Sequence, residues 1–310
     1  MTGVILIILA AAALGTAFAC YHRAFYSPVR SRPDIYNIPA GDQYQLYREE
    51  MISCIDALSA LPFEQVSIRS RDGLRLTGRY YPVKDGAPVA VCFHGYRAAA
   101  VRDFCGGSLA CMELGVNVLL VDQRAQGMSE GHTMSFGAKE KLDCLDWVNY
   151  CVDRFGPEVR VFLFGISMGA ATVLLAAGLD LPGNVAAVIA DSPYSSAEAI
   201  LKKVCRDAGL PASAAYQFLR LGASVYGHFS IREADVMAAL SAASVPVLII
   251  HGEDDRFVPC EMSRQMKAAH PERLRLETFP GAGHGLSYMT DKERYTALVS
   301  EVLGSNFSTQ

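Results

Sequence analysis

The chain reads as an α/β protein: a mostly parallel sheet approached through an antiparallel hairpin, with helices on both faces and a helical insertion capping one end. Three observations predict this class. From Val89 to Leu303, apolar β-branched runs suited to buried strands alternate with helix-forming stretches. Two strand candidates, "EQVSIRS" and "RLTGRYYPV", flank the turn "RDG" at Arg71–Gly73 just before that alternation begins. The segment between Asp191 and Val245 is too long for a simple crossover and is itself largely helix-forming.

The N-terminus is a different material. From Val4 to Tyr21, "VILIILAAAALGTAFACY" carries no charge, and at about 1.5 Å per residue it is just long enough to cross a bilayer's hydrocarbon core. Aromatic and basic residues follow, at Tyr21, His22, Arg23, Phe25, Tyr26, Arg30 and Arg32. "AFA" before Cys20 has the form of a cleavage site, but "MTG" lacks the basic stretch that opens a signal peptide, and Phe18 fits a lipoprotein signal poorly. Residues 1–26 are therefore read as an uncleaved membrane anchor, and the arginines place the main domain on the cytoplasmic side.

Residues 27–63 follow as linker and N-terminal helix. "SPVRSRPDIYNIPAG" carries three prolines, and "QYQLYREEMISCIDAL" then puts Tyr44, Tyr47, Met51, Ile55 and Leu58 on one helical face. Residues 64–310 form the main domain, so a chain beginning near Tyr36 is expected to fold by itself. After the hairpin, strands are predicted at Val89–His94, Val116–Asp122, Val159–Ser167, Val185–Asp191, Val245–His251 and Leu274–Pro280. Helices are predicted near Val101–Leu114, Phe136–Phe155, Met168–Ala177, Pro259–Ala269 and Asp291–Leu303, with the cap at about 193–243.

Composition narrows the function. With 310 residues, 51% hydrophobic and 19% charged, the chain can bury a sizeable core and is not disordered. A formal net charge of −4 without a basic block argues against nucleic acid as a partner, and no phosphate-cradling G-x-x-x-x-G-K-[ST] loop occurs. The nine cysteines include no C-x-x-C pair, so neither a zinc site nor a disulfide framework is indicated, and a reducing compartment is favoured.

The chemistry centres on "LFGISMGAAT", Leu163 to Thr172, where Ser167 stands between glycines at the corner from an apolar strand to an alanine-rich helix. This is G-x-S-x-G in the context of a nucleophile elbow. A serine hydroxyl needs a base, and the base needs a group to hold its tautomer. Of seven histidines only His284, in "FPGAGHGLSY", lies in a glycine-flanked loop after the last strand. For the acid, "VLIIHGEDDRFVP" offers Asp255 and Asp254 past the preceding strand, and Asp191 ends the strand before that. Oxyanion donors are expected from the backbone N–H of Met168, which follows the nucleophile at a helix N-terminus, and from that of Tyr96 in the loop after "VAVCFHG". His94 is expected to shape that loop by hydrogen bonding.

Through "HGY", "VDQRAQGMSEG", "GISMG", "ADSPYSS", "HGEDDRFVP" and "GAGHG", the chain from about Glu64 to Leu303 resembles the α/β-hydrolase superfamily. The resemblance is to serine hydrolases of the monoacylglycerol-lipase-like and serine-aminopeptidase-like branch, especially bacterial membrane-anchored hydrolases. It implies the α/β-hydrolase fold, singles out Asp255 as the acid, and implies hydrolysis through an acyl-enzyme without metal or organic cofactor. The implied substrate is a small acyl ester, with a short peptide as the runner-up. A membrane-tethered binding protein is a third reading, disfavoured by the intact Ser167, Asp255 and His284. One departure is Arg124, Ala125, Gln126 and Gly127 where the family often has Arg-Gly-His-Gly, which puts substrate contacts in question more than catalysis. The apolar stretch "AAYQFLRLGASVY" of the cap either lines an acyl pocket or packs into the core.

Overall fold

The computed structural model describes residues 2–28 and 34–304. Arg30 and Arg32, on which the predicted membrane orientation leaned, lie outside the described residues, as does the middle of the proline-rich linker. Three helices come first: α1 (Thr2–Ala24), α2 (Asp42–Gln45) and α3 (Arg48–Ala60). The hairpin is β1 (Glu64–Arg69) and β2 (Arg75–Tyr81), in register from Glu64 opposite Tyr80 to Arg69 opposite Arg75. Strand and helix then alternate through β3 (Val89–Phe93), α4 (Ala100–Asp103), α5 (Cys105–Glu113), β4 (Asn117–Val121), α6 (Glu140–Phe155), β5 (Val161–Ile166), α7 (Met168–Ala177) and β6 (Val185–Asp191). The insertion supplies α8 (Ala197–Asp207), α9 (Ala212–Val225), a 3₁₀ turn at Ile231–Glu233 and α10 (Val236–Ala242). The chain finishes with β7 (Val247–Gly252), α11 (Glu261–Ala269), β8 (Leu274–Phe279), α12 (Ser287–Thr290) and α13 (Lys292–Leu303).

The strands form one eight-stranded sheet in the order β1-β2-β4-β3-β5-β6-β7-β8. β1 and β2 run antiparallel, and β2 pairs antiparallel with β4; all other pairings are parallel. Because side chains alternate across a pleated strand, neighbouring residues enter different cores. Leu119, Leu163, Val188 and Ile249 join Trp147 of α6 and the buried face of α7, whereas Leu120, Phe162, Phe164, Ile189 and Ile250 meet Ile55 of α3, Cys111 of α5 and Val299 of α13. Cover on both faces is why the parallel strands read as unbroken apolar runs.

Two predicted helices are shorter or broken. The Phe136–Phe155 helix starts only at Glu140, because Phe136 and Gly137 take positive φ and the Glu140 carboxylate turns back to accept the N–H groups of Ser135 and Gly137. The Val101–Leu114 helix breaks at Phe104, next to Asp103, whose Oδ2 accepts the Gly95 N–H at 2.8 Å. Within the insertion, Ser196 caps α8, Asp235 caps α10, and the two residues pair as an isolated bridge that pins the cap at its root.

α1 is apolar and long enough to cross a membrane, judged by length and composition. Its first turns are bare, with Val4 to Leu9 between 51 and 71% exposed. Its last turns lie along α9. Ala17 and Tyr21 are buried there, and a Cβ on Gly222 would overlap the Ala17 carbonyl, so glycine is what permits the approach. The Tyr226 hydroxyl donates to the Leu14 carbonyl at 3.2 Å, and its ring meets Phe18 and Tyr21. That face of the "AAYQFLRLGASVY" stretch therefore packs on α1. Just beyond the helix, Phe25 is fully buried edge-on between Phe136 and Phe229, at 5.7 and 5.2 Å between ring centroids. A boundary drawn at residue 26 thus runs beside a packed interface.

Candidate active site

At the end of β5 the chain must turn sharply into α7, and Ser167 at that corner sits at φ 57°, ψ −115°. That is a costly conformation for a residue with a side chain. Both glycines of the motif are required by space: a Cβ at Gly165 would overlap the Gly169 carbonyl, and one at Gly169 would overlap that of Phe93. The spacing of the pentapeptide is thus a steric consequence of folding α7 back over the sheet.

Three loops at the C-terminal ends of parallel strands converge on this corner. His284, after β8, has Nε2 at 2.8 Å from the Ser167 Oγ and Nδ1 at 2.7 Å from the Asp255 Oδ2. Asp255, after β7, is fixed by its other oxygen, which accepts the N–H groups of Phe257 and Val258 at 2.9 and 2.7 Å. The Tyr44 hydroxyl, from α2, donates to the His284 carbonyl at 2.7 Å and braces the histidine loop from outside the sheet.

The electrostatics suit a serine–base pair. Burial alone would raise the Asp255 carboxyl, but the charges and hydrogen bonds of His284 and His251 hold it well below the usual carboxylate range. Burial alone would lower the His284 imidazole, yet the Asp255 charge and hydrogen bond, helped by Asp191 and Asp103, leave it above its ordinary value. Neither rival acid bonds His284. Asp191 is buried under the site, accepts from Ser192 at 2.9 Å and from Ser287 at 3.4 Å, and is pushed up to about 6 by burial. Asp254 is exposed and is engaged through its backbone, its carbonyl accepting from Gln43 and its N–H donating to the Ala282 carbonyl.

Sequence reasoning missed one partner. His251, at the end of β7, places Nε2 at 3.3 Å from the Asp255 Oδ2 and 2.8 Å from the Val258 carbonyl, while Nδ1 bonds Ser263 at 2.7 Å. It is fully buried. The i, i+4 spacing to Asp255 was visible, but a histidine closing an apolar strand gave no sign of turning back on the acid.

The β3 loop lies against the N-terminus of α7, since a Cβ on Gly95 would stand 3.4 Å from that of Ser167. His94 shapes it: Nδ1 lies 2.8 Å from the Gly95 carbonyl, Nε2 faces the Gln123 N–H, and the Gln123 amide returns a bond to the His94 carbonyl. Among the described residues the N–H groups of Tyr96 and Met168 make no hydrogen bond, so both are free to donate to a ligand. The departing loop after β4 is structural. Arg124 is buried and grips Asp143 with two bonds of 2.6 Å and Asp72 with two more of 2.9 and 3.3 Å, while Gln126 accepts the Arg97 N–H at 2.6 Å. At the rim, exposed Phe257 stands edge-on to His284, and Lys203 of α8 donates to the Arg256 carbonyl, joining cap to acid loop. Among the described residues no cluster of His, Cys, Asp or Glu is arranged to hold a metal ion.

A sheet of this order, with Ser167, Asp255 and His284 brought together at the ends of its strands, is the frame of the α/β hydrolases. The model of the alpha/beta hydrolase family matches residues 90–299, and the chain belongs to that family. Among curated relatives, it is 29% identical to the uncharacterized protein YqkD of Bacillus subtilis over 203 residues, spanning 64% of this chain and 66% of YqkD. It is equally 29% identical to the uncharacterized protein Rv2307c of Mycobacterium tuberculosis over 233 residues, 74% of this chain and 75% of that one. Among solved structures, the Pyrococcus furiosus esterase Pf2001 superposes with a TM-score of 0.60 at 24% identity, covering 80% of this chain and 92% of the esterase. Est1E of Butyrivibrio proteoclasticus, solved with ferulic acid bound, gives 0.56 at 22% identity over 77% and 96%.

Proposed function

We propose that the chain is a serine hydrolase of carboxylic esters. The observation that carries this reading is the unbroken hydrogen-bonded line from Ser167 Oγ through His284 to Asp255, at 2.8 and 2.7 Å. In the mechanism it supports, His284 Nε2 takes the Ser167 proton as Oγ attacks the acyl carbon, and the N–H groups of Tyr96 and Met168 receive the developing oxyanion. Collapse of the tetrahedral intermediate expels the alcohol, which takes the proton from His284. Water, activated by the same histidine, then attacks the acyl-enzyme and releases the acid and Ser167. Asp255 holds the Nδ1–H tautomer and stabilises the imidazolium.

Esters are favoured over short peptides because three of the four cap acids that could meet a free amino terminus, Glu198, Asp207 and Asp235 but not the exposed Glu233, are engaged locally. Glu198 pairs with Lys202, Asp207 pairs with Lys203, and Asp235 caps α10. The esterases among the structural neighbours point the same way. We read α1 as a retained membrane anchor, since Ala17, within the "AFA" sequence, and Tyr21 and Phe25, just after it, are buried in the domain. The cytoplasmic placement of the catalytic domain rests on the basic residues that follow the anchor.

The test is hydrolysis of a p-nitrophenyl ester series of rising acyl length by the full chain in detergent micelles, beside Ser167→Ala. Ser167-dependent turnover is expected, together with labelling of Ser167 by a fluorophosphonate. Labelling without ester turnover would move the reading to amides, and absence of both would overturn it.

A further inference from the structure

The end of α1 meets the catalytic machinery as well as the cap. Its last carbonyls accept hydrogen bonds from the two residues at the tip of the β3 loop. The Tyr96 hydroxyl donates to the Ala24 carbonyl at 2.8 Å, and Arg97 Nη2 donates to the carbonyls of Arg23 and Tyr26 at 3.0 and 3.1 Å. A helix C-terminus suits these partners, because its final carbonyls lack intrahelical donors and carry the negative end of the dipole. The Arg97 guanidinium also lies 5.1 Å over the Tyr96 ring, so the two side chains brace one another.

The loop needs bracing. Arg97 adopts φ 52°, a left-handed conformation that a long side chain does not favour unaided, and its N–H is held from the other side by Gln126. The Tyr96 ring rests on Phe136 at 5.2 Å, and Phe136 in turn rests on Phe25. An oxyanion donor acts only if it sits about 2.7–3.1 Å from the position that the charged oxygen will occupy, so slack in this loop reaches the transition state directly.

We propose that the base of α1 is the clamp of the oxyanion loop. Tyr96 through its hydroxyl and Arg97 through its guanidinium are positioning residues that tie the Tyr96 N–H to the Arg23–Tyr26 carbonyls, so turnover depends on these contacts with the end of the N-terminal helix rather than on its packing against the cap. The inference rests on the serine hydrolase reading above. It makes the apolar helix a working part of the enzyme, and how that helix sits in a bilayer is felt at the acyl site through two side chains.

The experiment compares Tyr96→Phe, Arg97→Ala and Arg97→Lys with Tyr226→Phe, all in the full chain in detergent micelles. Tyr226→Phe also removes a hydroxyl bonded to an α1 carbonyl, that of Leu14, but away from the loop. Tyr96→Phe and Arg97→Ala are each expected to lower kcat roughly tenfold with KM within about twofold, a fraction of the loss from deleting an oxyanion donor outright. Fluorophosphonate labelling of Ser167 should slow in step, Arg97→Lys should recover most of the loss, and Tyr226→Phe should stay within about twofold of wild type. Amide exchange at residues 94–98 should quicken in the first two variants only. Unchanged kcat in Tyr96→Phe and Arg97→Ala, or an equal loss in Tyr226→Phe, overturns the proposal while Ser167-dependent turnover of the wild type upholds the hydrolase. Wild type without turnover or labelling removes both.

Discussion

Asp255 and Asp191 are both buried acids near His284, and only hydrogen-bond geometry separates them. Asp255 bonds the Nδ1 of His284, whereas Asp191 bonds Ser192 and Ser287. Asp255→Asn should therefore lower kcat by about 10⁴-fold, the cost of presenting the wrong tautomer. Asp191→Asn should cost far less, and equal losses would reassign the acid. The pH profile follows from the same pair. The base must be neutral, so activity is lost as pH falls through the His284 pKa, which Asp255 holds above the ordinary value. The acid limb of kcat/KM should then have its midpoint above about 6.5, and Asp255→Ala should move it downward. Ser167, His284 and both acids were legible as residue types at or just past strand ends; the choice among the acids rested on a resemblance, because spacing along a chain does not specify which oxygen faces which nitrogen.

At the scale of elements, local pattern carried far. The six parallel strands lie within two residues of the expected ends, since each is an apolar run closed by a loop. Helices were less legible where a side chain reaches back on the backbone, as Glu140 does in delaying the start of α6. The elbow is the element whose sequence is most constrained. Gly169→Ala drives a methyl into the Phe93 carbonyl and should cost at least about 1–3 kcal/mol in chemical denaturation, the usual range for overpacking. If stability were unchanged, α7 would have to sit farther from β3 than described.

For the whole molecule, the earlier expectation that a chain beginning near Tyr36 folds by itself meets the burial of Ala17, Tyr21 and Phe25. Each such aromatic contributes about 1.5–3 kcal/mol on burial, and removing it also bares Phe136, Tyr226 and Phe229. The shortened chain should melt at a lower temperature than the full chain in the same detergent and should self-associate; equal melting temperatures would restore an independent domain. The amino-acid sequence by itself determined the fold class, the serine and histidine proposed as nucleophile and base, and an N-terminal helix apolar enough for a membrane, because each follows from periodicity and turn chemistry within a few residues. Only the tertiary structure decided that His251 shares Asp255, that α9 turns one face to α1, and that the end of α1 holds Tyr96 and Arg97. Those contacts join distant parts of the chain, and an amphipathic face records that it will be buried without recording its partner.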